Sequence, residues 1–137
     1  MKTFDVIALG ELNVDLILNR IAGFPEVGKE IFARDMICTL GSSTAIFAAN
    51  VSALGARTAF AGMIGRDAFG ELVRGSLEAR GVDTRYVIEA ADRATGVTVV
   101  MSYGEDRANV TYPGAMEALR FADLDPEIFL SARHIHL

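Results

Sequence analysis

The stretch Ser43 to Leu54, "STAIFAANVSAL", is small and apolar around nearly its whole helical circumference. A helix of that kind is stable only where other layers of structure cover it. It opens at a Gly41-Ser42-Ser43 corner and meets Gly55, a residue suited to the left-handed stop of a helix. Short runs of β-forming residues flank it: "FDVIAL", Phe4 to Leu9, ending at Gly10, and "RTAFAGM", Arg57 to Met63. Asp67 to Arg80 then reads as a surface helix, with Phe69, Leu72, Val73 and Leu77 on one face, Asp67 as its cap and Gly81 as its stop. The order strand, helix, strand, helix predicts a parallel α/β sheet, in which ligands sit beyond the carboxyl ends of the strands.

The remaining segments predict a second, smaller β structure. Leu16 to Leu18 and Glu30 to Leu40 read as peripheral strands around "RIAGFPEVGKE", which Gly23, Pro25 and Gly28 break. Thr95 to Ser102 and Arg107 to Tyr112 read as a hairpin with Gly104 in the turn, closed by Pro113-Gly114. A short helix around Asp125 to Leu130 precedes a strand-like "HIHL". An interior strand of a parallel sheet has neighbours on both sides, so the expectation is that further chain or a partner covers this edge. His134 and His136 alternate with Ile135 and Leu137 and point the same way, but no third ligand accompanies them; no metal site is expected.

Composition removes several classes of function. The formal charge of −5 and the lack of a Lys/Arg cluster argue against nucleic acid, which binds chiefly through cations on phosphates. Cys38 is the only cysteine, so nothing calls for an oxidising compartment. The apolar run before Glu11 is too short for a signal peptide or a membrane span, and a soluble cytoplasmic protein is expected.

The residues after the first strand carry the chemistry. Glu11, Asn13 and Asp15 alternate with Leu12 and Val14, so an extended segment presents polar groups on one side. Asn13 and Asp15 offer donors and ionised acceptors fit to grip vicinal hydroxyls, or alternatively they shape a turn through their own backbones. At Gly41 and Ser42 the backbone can approach a ligand, with free N–H groups at a helix start; the competing reading makes Ser42 or Ser43 an N-cap. "GSSTAIFA" has no Gly-Lys-Ser/Thr and "GELNVD" lacks a dinucleotide fingerprint, so the glycines do not imply a bound nucleotide.

Five stretches, "GELNVDLI", "FPEVGKEI", "GSSTAIFAANVSALG", "GMIGRDAFGELVRGSLEARGVDT" and "TGVTVVMSYGEDRANVTYPGA", run in the order and near the spacing of the N-terminal half of ribokinase-like (PfkB) carbohydrate kinases. The chain resembles that family along essentially its whole length. The resemblance implies a three-layer α/β/α fold with a parallel central sheet and a small β-sheet lid, the C-terminal half of the fold lying outside this chain. Residues 1–137 would form one partial domain, with core segments at about 1–15, 41–86 and 114–137 and lid segments at about 16–40 and 87–113.

The implied reaction is transfer of the γ-phosphoryl of ATP, with Mg2+, to a hydroxyl of a sugar or nucleoside. By the resemblance Asn13 and Asp15 match the substrate-binding polar pair after the first strand, whose aspartate holds sugar hydroxyls, and Gly41 and Ser42 occupy a double-glycine corner, with Ser42 replacing the second glycine. Ile46 stands where an asparagine is usual, which removes one sugar hydrogen bond and argues against ribose. Thr98, Val100 and Arg107 are lid positions; Val100 equally suits plain lid packing, and Arg107 equally suits pairing with Glu105 or Asp106. Asp67 reads as a helix cap and not as the catalytic base. The family's Gly-Ala-Gly-Asp segment, which brings the base, the anion hole and the nucleotide pocket, does not occur here, so no catalytic, cofactor or metal residues are assigned. The resemblance also implies a homodimer through the lid. Two other readings stand beside the sugar kinase: a non-catalytic sugar-binding or assembly piece, and an adenosine-type nucleoside kinase.

Overall fold

The computed structural model describes residues 2–137. Eight strands and three helices follow in chain order: β1 (Phe4–Leu9), β2 (Asn13–Asn19), β3 (Asp35–Leu40), α1 (Ser43–Ala53), β4 (Thr58–Gly65), α2 (Ala68–Glu78), β5 (Asp83–Ala90), β6 (Gly96–Tyr103), β7 (Asp106–Tyr112), α3 (Glu127–Ser131) and β8 (Ala132–His136). They form two sheets of four strands. The first, β5-β4-β1-β8, is parallel throughout. In the second, β3-β2-β6-β7, β2 pairs antiparallel with β3 and parallel with β6, and β6 and β7 make a hairpin.

Alternation along the central strands sorts the core into layers. β4 is buried at every position, as a parallel strand covered on both faces must be. Ala8 of β1 with Phe60 and Ile64 of β4 faces α1 and α2, meeting Ala45, Ala48, Val73 and Leu77. Ile7 and Ala59 face the other way, onto Ile128 of α3. Helices on both faces of a parallel sheet make the three-layer α/β/α arrangement. No helix among the described residues is long and apolar enough to cross a membrane.

Local chemistry accounts for most boundaries. Asp67 caps α2 by accepting from the Gly70 N–H at 2.8 Å, and Gly81 turns out of it at φ 79°. Gly104, at φ 65°, closes the β6–β7 hairpin.

Three features differ from the sequence expectations. β5, absent from them, runs to Ala90 inside the first sheet, past the lid boundary at about 87. Its register against β4 slips by one residue between Ala59 and Ala61, so Thr84 and Val87 are buried three residues apart and the two-residue period is lost there; Ala90 is buried on the opposite face, against Met63 and Ala115. β2 enters the second sheet already at Asn13, where it pairs with Gly96, three residues before the boundary at 16. Finally, α1 is covered on one stripe only: Ala45, Ala48 and Ala49 are buried, whereas Ile46, Asn50 and Leu54 are exposed. Its apolar circumference reflects a cleft on the uncovered side in place of a second packing layer.

Phe60 is fully buried at the centre of the larger core cluster. Phe60→Ala should therefore lower the unfolding free energy by about 3–5 kcal/mol. Urea denaturation monitored by circular dichroism measures this, and a loss below about 1 kcal/mol would contradict the packing described.

Candidate functional site

The site forms where β2 starts, β3 ends and α1 begins. β3 pairs with β2 up to Leu40 opposite Val14, and the Gly41 N–H then donates to the Asn13 carbonyl at 2.9 Å. This seats the Gly41 backbone on the two polar side chains of β2. A Cβ at Gly41 would lie 2.5 Å from Asp15 Oδ1 and 2.6 Å from Asn13 Nδ2. A larger residue would have to displace those side-chain ends, and the reason is one of space, since the φ of Gly41 is not positive.

The polar pair is held by the second sheet. Asn13 is 6% exposed and donates through Nδ2 to Asp15 Oδ1 at 3.0 Å and to Thr98 Oγ1 at 3.2 Å. Thr98 Oγ1 in turn lies 3.0 Å from Thr111 Oγ1 on β7. The same NH2 group also lies 3.3 Å from the Val14 carbonyl, so the amide links the carboxylate, its own strand and β6. Asp15 Oδ2 accepts from no described residue and is open to a ligand.

Ser42 sits at φ 67° and ψ 122°, a conformation strained for any residue with a Cβ. Its Oγ accepts from the Ala45 N–H at 3.2 Å, the N-cap interaction, and its carbonyl accepts from Ile46 N–H at 3.0 Å. The next N–H groups of α1, those of Ser43 and Thr44, have no carbonyl a turn earlier to satisfy them.

A cleft of about 510 Å3 opens from this corner, within the range that encloses a small-molecule ligand. Asp15, Ile17 and Thr39 form its wall on the second sheet; Ile46 and Asn50 of α1 and Arg80, just past α2, face them. Ile17 also borders a neighbouring cavity of about 510 Å3 with Val100, Ser102 and Arg107. Of the eight residues singled out in the sequence, Asn13, Asp15, Gly41 and Thr98 come into one cluster with Ser42 beside it. Ile46 shares the cleft with Asp15, and Val100 and Arg107 lie around the second cavity. The Arg107 N–H donates to Asp106 Oδ1 at 2.8 Å, while its guanidinium pairs with no described carboxylate.

Thr39, Thr111, Asn50 and Arg80 were not singled out. The threonines carried a latent signal: register places Thr39, Asp15, Thr98 and Thr111 in one row across all four strands. That row is legible only once strand order is known. His136 does not reach the site; its ring stacks on Phe47 at 3.8 Å between centroids. Among the described residues no three His, Cys, Asp or Glu side chains group to hold a metal.

Ser42→Gly should raise stability by about 1 kcal/mol. Release of the strained backbone is worth roughly 1–3 kcal/mol, against a few tenths for the lost cap oxygen. Thermal unfolding of the two chains measures the difference, and a lower melting temperature for the glycine variant would contradict the strain.

Comparison with known proteins gives the fold and site a relationship. The family model described as pfkB family carbohydrate kinase matches residues 3–137. A nucleoside kinase of Methanothermobacter thermautotrophicus is 30% identical over 134 residues, covering 97% of this chain and 43% of that protein. Among solved structures, Halothermothrix orenii fructokinase superposes with a TM-score of 0.82 at 28% identity, over 97% of this chain and 45% of the other. An uncharacterized sugar kinase from Pyrococcus horikoshii in complex with ATP superposes with a TM-score of 0.80 at 25% identity, over 95% and 41%. The chain thus spans less than half the length of the relatives it matches, and it belongs to the pfkB family of carbohydrate kinases.

Proposed function

We propose that the cleft beside Gly41 binds the hydroxyl groups of a sugar or nucleoside, and that this chain is the acceptor-binding portion of an ATP-dependent kinase. The observation that carries this reading is the Gly41–Asn13–Asp15 contact. It holds an ionisable carboxylate with one oxygen free at the mouth of a ligand-sized cleft.

Each residue has a task in that proposal. Asp15 accepts from a pair of hydroxyls, and charge-assisted bonds of this kind are the stronger ones. Asn13 orients the carboxylate, and Thr98 orients Asn13. Gly41 seats the polar pair and Ser42 starts α1 beside it, Ile46 offers an apolar wall with no donor, and Val100 and Arg107 line the adjoining cavity. A nucleoside or a fructose-type sugar suits such walls, in keeping with the names of the two relatives.

Phosphoryl transfer further requires a base for the attacking hydroxyl, stabilisation of developing charge and positioned phosphates. ATP and Mg2+ would supply the transferred group and its charge neutralisation. The described residues show no metal cluster, and the sequence contains no Gly-Ala-Gly-Asp segment, so no step of the transfer is assigned to residues 1–137. By itself this chain is proposed to bind the acceptor without turnover.

Homodimer formation through the lid has its own support. Opposite the polar row, the ladder rows nearest the corner are apolar: Leu40, Val14, Val97 and Tyr112, then Cys38, Leu16, Val99 and Val110. Val110 and Tyr112 are 61% and 56% exposed there. A second copy covering the exposed β7 part of this face, which the chain's own core leaves uncovered, is the proposed partner.

Isothermal titration calorimetry with D-fructose, D-ribose and adenosine tests the binding proposal. At least one should bind, and Asp15→Asn should weaken it by roughly 10–100-fold, matching the loss of a hydrogen bond to a charged group. Equal affinity in the variant would overturn the assignment.

A further inference from the structure

The Asp67 carboxylate does more than start α2. Capping needs one oxygen, and Oδ1 supplies it to the Gly70 N–H at 2.8 Å. The same oxygen accepts the Thr95 hydroxyl at 2.7 Å, and Oδ2 accepts the Thr95 N–H at 2.8 Å. Thr95 is 1% exposed and immediately precedes β6; its Oγ1 accepts in turn from the Gly65 N–H at 2.9 Å. The root of β6 is therefore tied at one point to the end of β4 and the start of α2. Close packing reinforces the tie, since a Cβ at Gly65 would come within 2.5 Å of Arg93 O and Thr95 N, and one at Gly70 would strike Gly65 O.

Two residues on from Gly96, β6 presents Thr98, which receives the Asn13 amide. Asn13 holds Asp15. We infer that Asp67 is a positioning residue for the Asn13–Asp15 pair: its carboxylate fixes the root of β6 and through it the threonine that orients the grip. The inference rests on the proposed function only in taking that pair as the acceptor site. The clamp itself is a property of the fold.

The ionised form is the one that can accept all three bonds. Burial raises the Asp67 value, but the hydrogen bonds from Thr95, Gly70 and Phe69 outweigh it and leave the carboxyl below its ordinary range. The carboxylate therefore remains charged at neutral pH.

Asp67→Asn separates cap from clamp. The amide oxygen keeps the bond to Gly70 N–H, whereas the NH2 group faces the Thr95 N–H, donor against donor. Asp67→Ser, another good cap with no second oxygen, makes the same comparison if the asparagine variant folds poorly. Amide hydrogen exchange and the Asn13 side-chain NMR signal, recorded on the whole chain without ligand, read the outcome. Exchange across residues 96–103 should quicken at least about tenfold, residues 68–78 should stay within about twofold, and the Asn13 signal should shift. Unchanged exchange in β6 with an unmoved Asn13 signal would overturn the inference. So would equal loss of protection in α2 and β6, which is what a mere cap produces. Because no ligand enters, a failure to bind sugar leaves this result standing.

Discussion

The structure depends on one close approach, the Gly41 backbone lying directly on the side chains of Asn13 and Asp15. It fixes how β3 ends, where α1 starts and which way a buried amide and its neighbouring carboxylate point. In a space with no room for a methyl group, the pair cannot relax toward the corner, so its remaining hydrogen-bonding capacity is spent on Thr98 or left open to the cleft. A loose surface Asp-Asn pair lacks this constraint and gains little from being ordered, because its water contacts are nearly as good.

The second sheet turns that constraint into a site. Beside the corner its ladder rows differ by face: Thr39, Asp15, Thr98 and Thr111 lie on one side, followed on that side by Ile37, Ile17 and Val100, and Leu40, Val14, Val97 and Tyr112 lie on the other. The apolar rows nearest the first sheet join its core, with Val14 fully buried and Leu16 and Leu40 packed against the same cluster as α2. Hydrophobic packing thus anchors the second sheet from behind while Asp15 and Thr39 of the polar row line the cleft. The second sheet is joined to the parallel sheet at separate roots, and these differ in character. At Gly41-Ser42 the backbone holds a strained φ of 67°, whereas at Thr95 a buried hydroxyl and a carboxylate share a dense set of short bonds. Strain is tolerated at the first root because packing around it determines the conformation.

Much of this was legible in the sequence for identifiable reasons. α2 announced itself by a capping aspartate, an amphipathic face and a terminal glycine, which are local signals that tertiary context does not change. The β6–β7 hairpin was equally local, with Gly104 at its turn. The parallel sheet and lid followed from strand–helix order and from the family resemblance, and the match to the pfkB family over residues 3–137 agrees with both. β5 escaped because a bulge broke its alternation just where periodicity was the only signal. The exposed stripe of α1 escaped because composition records which residues are apolar and not which are covered. The steric basis of Gly41 lay deeper still: Asn13 and Asp15 are more than twenty residues away in sequence, and their contact exists only after β2 and β3 have paired.

A thermodynamic cycle tests this contact most directly. Gly41→Ala is introduced into the parent chain and into an Asn13→Ala, Asp15→Ala background, and unfolding free energies are compared by urea titration. If the Gly41 backbone is seated on those two side chains, the alanine costs about 1–3 kcal/mol in the parent, the range for forcing a methyl into packed space. It should cost close to nothing once the two side chains are truncated. Equal costs in the two backgrounds would contradict the account, since the obstruction at Gly41 would then lie elsewhere.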